Sequence, residues 1–336
     1  TGLVKQKEAQ HATGAESLRT GPIAQANARQ RAGRAGRERP GECYRLYSHR
    51  RFLGLPPAPT PEILRAALDG VVLQLAALGV DATTFRFLEP PPKPAVAQAV
   101  AVLQELGALK ETTLTPLGRA MAGLPLAPRY ARALLASAEL GCLQHMLGVV
   151  AMLAVDLQFF SPAAGQREIA AATKQSFASE HGAHAMLLSL FLAFQSVGAR
   201  SQQRWCARRA LNFRALTTAA AIHKQLVDAA LSALKRLGAP PPALPQHPQP
   251  PTDAELAVLK RALLTAFRSH VAVRQPGGTY MTVVGRRPAQ IHPSSCLHQA
   301  RPRFVIFSEL VETTRPFIRV VSALSDEDAL REFPDL

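Results

Sequence analysis

The sequence predicts a multidomain chain of class α/β + α + β: a short mixed segment, a long helical middle and a terminal β-barrel. Three observations predict it. Apolar residues recur at spacings of three and four through most of 62–237, the period of helices. After His270 the period drops to two, in five short runs separated by turn residues. Two proline-rich stretches, Pro56 to Pro61 and Pro240 to Pro251, separate these regimes as semi-rigid connectors. At 336 residues and 47% hydrophobic content the chain supports more than one core.

A net charge of +15 and a pI near 10.5 point to a polyanionic partner. Residues 1–51 concentrate it, with eleven Lys and Arg against four Glu. Nucleic acid is favoured over membrane, because no run approaches the roughly 18 apolar residues of a spanning helix. Four dispersed cysteines make no disulfide framework and point to a reducing intracellular compartment. Thr1 in place of Met points to a segment of a larger protein.

In chain order, Thr1 to Ser17 reads as strand, turn and strand, with Thr13-Gly14 as the turn signal and Lys5 and Lys7 on the first strand. Gln30-Arg31-Ala32-Gly33-Arg34-Ala35-Gly36-Arg37 follows. On a helix, Arg31, Arg34 and Arg37 would share one face. Their planar forks suit phosphate oxygens, and Gly33 and Gly36 let a ligand approach the backbone.

Pro61 sits well as the first residue of a helix, and Ile63, Leu64, Leu68, Val72, Leu75 and Leu78 continue one amphipathic helix to Gly79. A second runs from Pro94 to Leu106, and Thr113 to Gly118 reads as a short strand and turn. Helix, helix and short strand point to a winged helix. Its second helix is nearly uncharged, which counts against a DNA-reading role. From Leu124 to Leu237 the pattern is a helix bundle. Residues 238–251 sustain neither helix nor central strand. Thr252-Asp253-Ala254-Glu255 starts a helix expected to reach residue 269. The five β-type runs that follow, His270 to Arg274, Thr279 to Val284, Ala289 to His292, Phe304 to Phe307 and Phe317 to Val321, make a small barrel.

The octet at 30–37 resembles, almost letter for letter, motif VI of DEAH-box RNA helicases. The flanks Pro22-Ile23 and Pro40-Gly41-Glu42-Cys43-Tyr44-Arg45-Leu46-Tyr47 match as well. Further matches are Phe87-Leu88-Glu89-Pro90-Pro91-Pro92, Pro125-Leu126-Ala127-Pro128-Arg129, Glu139-Leu140-Gly141-Cys142, Trp205-Cys206 and Ile291-His292-Pro293-Ser294-Ser295, the last extended by Glu309-Leu310-Val311 with Thr313 or Thr314. The family has Ser where Ala24 stands and an acid where Ala183 stands.

The resemblance implies five parts. Residues 1–52 are the C-terminal part of a second RecA-like lobe with its β-hairpin and motif VI. Residues 53–123 are the winged helix, 124–237 a helical-bundle ratchet domain, 238–251 a linker and 252–336 an OB-fold. It further implies an ATP-dependent motor moving 3′ to 5′ on RNA. Arg34 and Arg37 are its arginine fingers, Gln30 and Gly33 line the same nucleotide cleft, and ATP with Mg²⁺ is held mainly by a first lobe outside this chain. Neither a Gly-x-x-x-x-Gly-Lys-Ser/Thr loop nor an Asp-Glu-Ala-His box occurs here, so this segment is not expected to hydrolyse ATP alone.

Lys5 and Lys7, Arg204 and Arg208, and His292 and Ser295 are the candidate RNA contacts. A surface hairpin, a solvated basic face and a structural turn are the respective alternatives. A glycine-rich (G-patch-type) activator or an RNP complex is the implied protein partner, and the nucleus or nucleolus the implied compartment. The competing reading is a catalytically inactive RNA-binding scaffold. His181 with His184, and Cys142 with His145 and Cys206, are too sparse for a metal site.

Overall fold

The computed structural model describes residues 1–10, 15–155, 158–162, 165–245, 248–312 and 315–335. Strands β1 (Leu3–Gln10) and β2 (Ala15–Pro22) form the expected antiparallel hairpin, from Leu3 opposite Pro22 to Gln10 opposite Ala15. Its Thr13-Gly14 turn lies outside the described residues. Helices α1 (Gln25–Gly33) and α2 (His49–Leu53) close a small core of Ile23, Ala28 and Leu55, against which Val4, Tyr47 and Phe52 pack.

The single helix expected over 61–79 is divided. A 3-10 turn, Glu62–Leu64, precedes α3 (Asp69–Ala77), because the backbone leaves helical angles at Arg65 (φ −130°) and turns so that Leu68, Val72 and Leu73 reach one core. Gly79, at φ +76°, ends it as expected, since a left-handed position after a helix suits glycine. Helix α4 (Lys93–Glu105) buries Ala95, Val96, Ala99 and Leu103. A two-stranded wing, β3 (Leu109–Lys110) and β4 (Thr113–Leu114), follows. The turn expected after Leu114 is instead α5 (Pro116–Ala122): the Thr115 hydroxyl accepts the Gly118 amide and Pro116 takes the first helical position.

The bundle comprises α6 (Pro128–Glu139), α7 (Leu143–Leu153), α8 (Arg167–Phe177), α9 (Ala183–Ser196), α10 (Ala199–Arg208) and α11 (Phe213–Arg236). Helix α7 is apolar all round, and from Leu143 to Met152 only Gln144 is not buried, the signature of a central helix. The linker has no regular structure in its described residues.

At α12 (Asp253–Leu264), Thr252 accepts the Glu255 amide while the Glu255 carboxylate accepts the Thr252 amide at 2.8 Å, a reciprocal cap that the sequence signals directly. The helix stops short of residue 269. Ala266 and Phe267 turn into the core, where Phe267 meets Tyr130 at 5.4 Å. Strands β5 (Val271–Arg274), β6 (Tyr280–Thr282), β7 (Pro288–Ile291), β8 (Phe304–Glu312) and β9 (Pro316–Leu324) pair in the order β5-β6-β7-β9-β8 and back to β5. That ring is a closed barrel, filled by Tyr280, Ile291, Val305, Phe307, Ile318 and Val321. Helix α13 (Asp326–Glu332), capped by Ser325, was not anticipated.

One apolar cluster runs unbroken from Leu68 through the bundle to Phe304 and Leu324, so winged helix, bundle and barrel share a core. Arg129 ties the three, donating to Ala266 O at 2.7 Å and pairing with Glu105 at 3.5 Å. The hairpin is also joined to the barrel. Strand β2 runs parallel to β8, with Glu16 opposite Val311 and Ser17 opposite Glu312. At the bundle–barrel seam, Gly182 bridges Ser322 and the Ala323 amide donates to His181 O at 3.1 Å. Val320 sits at φ +51°, unusual for a β-branched residue, between the Phe307–Val321 and Glu309–Arg319 pairs of a β8–β9 register that is the same on both sides, and its side chain packs against the bundle core.

Candidate functional site

Helix α1 sets the arginine loop. Ala24, at its N-cap, has no side-chain acceptor, and Asn27 Oδ1 instead accepts the Ala24 amide at 3.2 Å. The helix ends at Gly33. The three arginines therefore do not share a helical face: Arg31 lies in the last turn, while Arg34 and Arg37 lie beyond it in a non-helical loop. Arg31 donates to Leu3 O at 3.1 Å and secures the start of the hairpin. Arg29 donates to Gln25 Oε1 at 3.0 Å, and Arg45 stacks 4.3 Å from the Phe52 ring.

Gln30, Gly33, Arg34 and Arg37 are exposed, as are Arg29, Arg31 and Arg45, but among the described residues no hydrogen bond or ion pair holds the Arg34 or Arg37 side chain. The space over Gly33 and Gly36 is open to 4 Å, whereas a Cβ at Gly41 would meet Ala35 O at 2.2 Å, so Gly41 backs the loop closely. Two uncommitted guanidinium groups beside bare backbone fit a phosphate group.

The candidate RNA contacts fall in three places. Lys5 and Lys7 lie on β1, opposite Thr20 and Leu18. His292 and Ser295 form a turn after β7. His292 Nδ1 accepts the Ser294 amide at 3.1 Å, and Ser295 donates its amide to His292 O and accepts the Leu297 amide on its hydroxyl. The Ser295 side chain is thus engaged in shaping the turn.

The turn gathers further cations. Lys174 of α8 donates to Ser294 O. Burial pushes the half-exposed His292 imidazole below its usual pKa, and Arg319, Lys174 and His298 add to the effect. Phe317 meets the His292 ring edge-on at 5.4 Å. Sequence reasoning missed Lys174 and Arg319, which no local motif marks. Phe317 pairs with both Gln290 and Val311, and Val311 pairs with Glu16, so hairpin and basic turn share one end of the barrel.

Arg204 and Arg208 are elsewhere. With Arg200 they form an exposed row at four-residue spacing on α10, which starts where α9 leaves the barrel behind. Arg209 stacks on Trp205 at 4.7 Å. No acidic residue occurs between Glu180 and Asp228, and no ion pair neutralises the row among the described residues.

The remaining polar candidates are structural. His184 is 1% exposed, with Nδ1 2.7 Å from Ser322 Oγ and Nε2 3.1 Å from Ser308 Oγ, and burial lowers its pKa to about 4. His181 Nε2 lies 3.0 Å from Asp253. Cys142 and Cys206 belong to different cores, and burial raises each thiol to about 11. Among the described residues no three His, Cys, Asp or Glu side chains are grouped to hold a metal. Ala183, where an acid was expected, is buried at the seam that His184 and the backbone hold.

A winged helix, helical ratchet and closed OB barrel, in that order behind a hairpin and an arginine loop, define the C-terminal region of a helicase. Family models match the helicase-associated (HA2) winged-helix domain over residues 99–126, the ratchet-like HA2 domain over 127–212 and an oligonucleotide/oligosaccharide-binding fold over 259–336. The chain belongs to the DEAH-box ATP-dependent RNA helicases, as a C-terminal portion.

It is 36% identical over 330 residues to ATP-dependent RNA helicase DHX33 of Drosophila melanogaster, covering 97% of this chain and 45% of that protein. Over 327 residues it is 35% identical to probable ATP-dependent RNA helicase DHX35 of Homo sapiens, covering 96% and 44%. Over 328 residues it is 35% identical to pre-mRNA-splicing factor ATP-dependent RNA helicase prp22 of Schizosaccharomyces pombe, covering 96% and 27%. The chain spans less than half the length of these relatives.

Proposed function

We propose that this chain is the C-terminal half of an enzyme that couples ATP hydrolysis to 3′-to-5′ movement on RNA, for unwinding or for remodelling RNP complexes. Residues 1–52 complete its second RecA-like lobe. The observation that carries this reading is a contrast among exposed arginines: the side chains of Arg29, Arg31 and Arg45 are engaged by neighbouring groups, while among the described residues no hydrogen bond or ion pair engages those of Arg34 and Arg37. A scaffold has no use for two such groups. ATP, held with Mg²⁺ mainly by the other lobe, supplies the transferred phosphoryl group. Arg34 and Arg37 offer donors to the charge that develops on it, and Gln30 and Gly33 face the same cleft.

RNA lies along the hairpin with Lys5 and Lys7 and along the basic turn at His292 and Ser295, joined by Lys174 and Arg319. Arg204 and Arg208 form a second rail. A nuclear or nucleolar setting and a glycine-rich activator complete the proposal. The test is RNA-stimulated ATP turnover by the full-length protein. Arg34→Ala and Arg37→Ala should each lower it about 10³- to 10⁵-fold without loss of RNA affinity. A full-length wild type without ATP turnover would establish the scaffold instead.

A further inference from the structure

We propose that Arg31 is a positioning residue that couples the loop bearing Arg34 to the β1–β2 hairpin, so that RNA held on the hairpin sets where Arg34 stands. This rests on the motor reading above and adds the residue that joins its two sites. The base of the hairpin is anchored at Gly2 and Leu3. The Ile23 amide donates to Gly2 O at 3.1 Å. Gly2, at φ +69°, lies so close to Tyr47 that a Cβ there would meet the ring at 2.9 Å. Ile23 and Tyr47 belong to the small core. The remaining anchor, Arg31 to Leu3 O at 3.1 Å, comes instead from the last turn of α1, where the arginine loop begins.

That bond continues into the loop. The Arg34 amide donates to Arg31 O at 3.3 Å, and the Ala35 amide to Ala32 O at 3.0 Å. Leu3, Arg31 and Arg34 thus form a hydrogen-bonded path from the first residue of β1 to the backbone of an arginine finger. Arg29 turns back onto Gln25, and Gln25 Nε2 donates to Leu53 O and Leu55 O. Among the described residues no other hydrogen bond links α1 or its loop to the hairpin. The start of α1 is fastened elsewhere, its Gln25 and Ala26 amides donating to Pro56 O and Pro57 O at 2.9 and 3.1 Å. A displacement of the loop is therefore passed on at the Arg31 end.

Arginine suits this task. A charged donor holds a carbonyl more firmly than a neutral one, and an exposed bond can break without leaving a buried group unpaired. Strand β1 carries Lys5 and Lys7, and β2 pairs with β8 at Glu16 and Ser17. RNA settled along this hairpin fixes its base, and the path fixes Arg34 in turn. By linkage, a nucleotide bound at the loop alters RNA affinity by the same factor as RNA alters nucleotide affinity.

The test compares the full-length wild type with Arg31→Met, which keeps a long apolar stem and removes the donors, and with Arg31→Lys, which restores a charged donor. In Arg31→Met, RNA-free ATP turnover should stay at the wild-type rate, while its stimulation by single-stranded RNA falls about tenfold or more. The change in RNA affinity on adding a non-hydrolysable ATP analogue should shrink by about the same factor. Arg31→Lys should recover most of both, and since the side chain is exposed the melting temperatures should agree. Stimulation that survives in Arg31→Met beside an active wild type overturns this proposal alone. Equal loss with and without RNA overturns it too, by placing Arg31 in the nucleotide cleft itself. A wild type without turnover overturns it together with the motor reading.

Discussion

Replacing His184 with Asn tests how the ratchet is fastened to the barrel. In the folded protein this imidazole is 1% exposed, between Ser322 Oγ at 2.7 Å and Ser308 Oγ at 3.1 Å. The shorter amide of His184→Asn reaches Ser322 and loses Ser308, a cost of about 1 kcal/mol at neutral pH. The pH dependence is more telling. Unfolded, the imidazole takes a proton at its usual pKa of 6.5; folded, it takes one only at about 4. Between those values the unfolded state binds more protons, so the native contribution is complete above 6.5 and is lost as pH falls toward 4.

The difference of about 2.5 pH units corresponds to about 3 kcal/mol. The variant does not titrate at this position. It should therefore be less stable than wild type by about 1 kcal/mol at pH 8, match it between about pH 5 and 6, and exceed it by about 2 kcal/mol at pH 4. His270, also buried and held well below its usual pKa, is common to both proteins and cancels. Urea midpoints read by Trp205, the single tryptophan, supply the measurement. Parallel stability curves from pH 8 to 4 would refute the argument, showing that His184 is not a buried neutral link.

Two further outcomes are expected. Replacing Arg200, Arg204 and Arg208 together with Ala should flatten the slope of log affinity against log salt for single-stranded RNA by about 2, at about 0.7 per phosphate contact. An unchanged slope would mark the row as a solvated face. Gly41→Ala places a Cβ 2.2 Å from Ala35 O and must displace the loop bearing Arg34 and Arg37. In the full-length protein ATP turnover should drop by about 10²-fold, the cost of misplacing a catalytic group by roughly 1 Å, with RNA affinity retained. Undiminished turnover would mean that the loop position does not matter.

The sequence by itself determined whatever is encoded over a few residues. The turn signal Thr13-Gly14 within residues 1–17 marked the hairpin, the spacing in 94–106 marked α4, and Thr252 with Glu255 marked the start of α12. The octet at 30–37 marked the arginine loop. These signals suffice because strand period, helix period and caps are local properties of the backbone. The same locality explains the failures. Periodicity ran α3 and α12 too long, because their breaks serve the burial of Leu68 and Phe267 in a core built from distant segments.

Only the tertiary structure decided that β7 and β9 pair in parallel to close the barrel, and that β2 adds to β8 some 295 residues away (Glu16 opposite Val311). The same holds for Lys174 and Arg319 meeting at His292, and for His184 seated between two barrel serines. Such partners are chosen by the energy of packing and hydrogen bonding across the folded chain, and a pattern read along the chain carries no information about which distant residue will supply them.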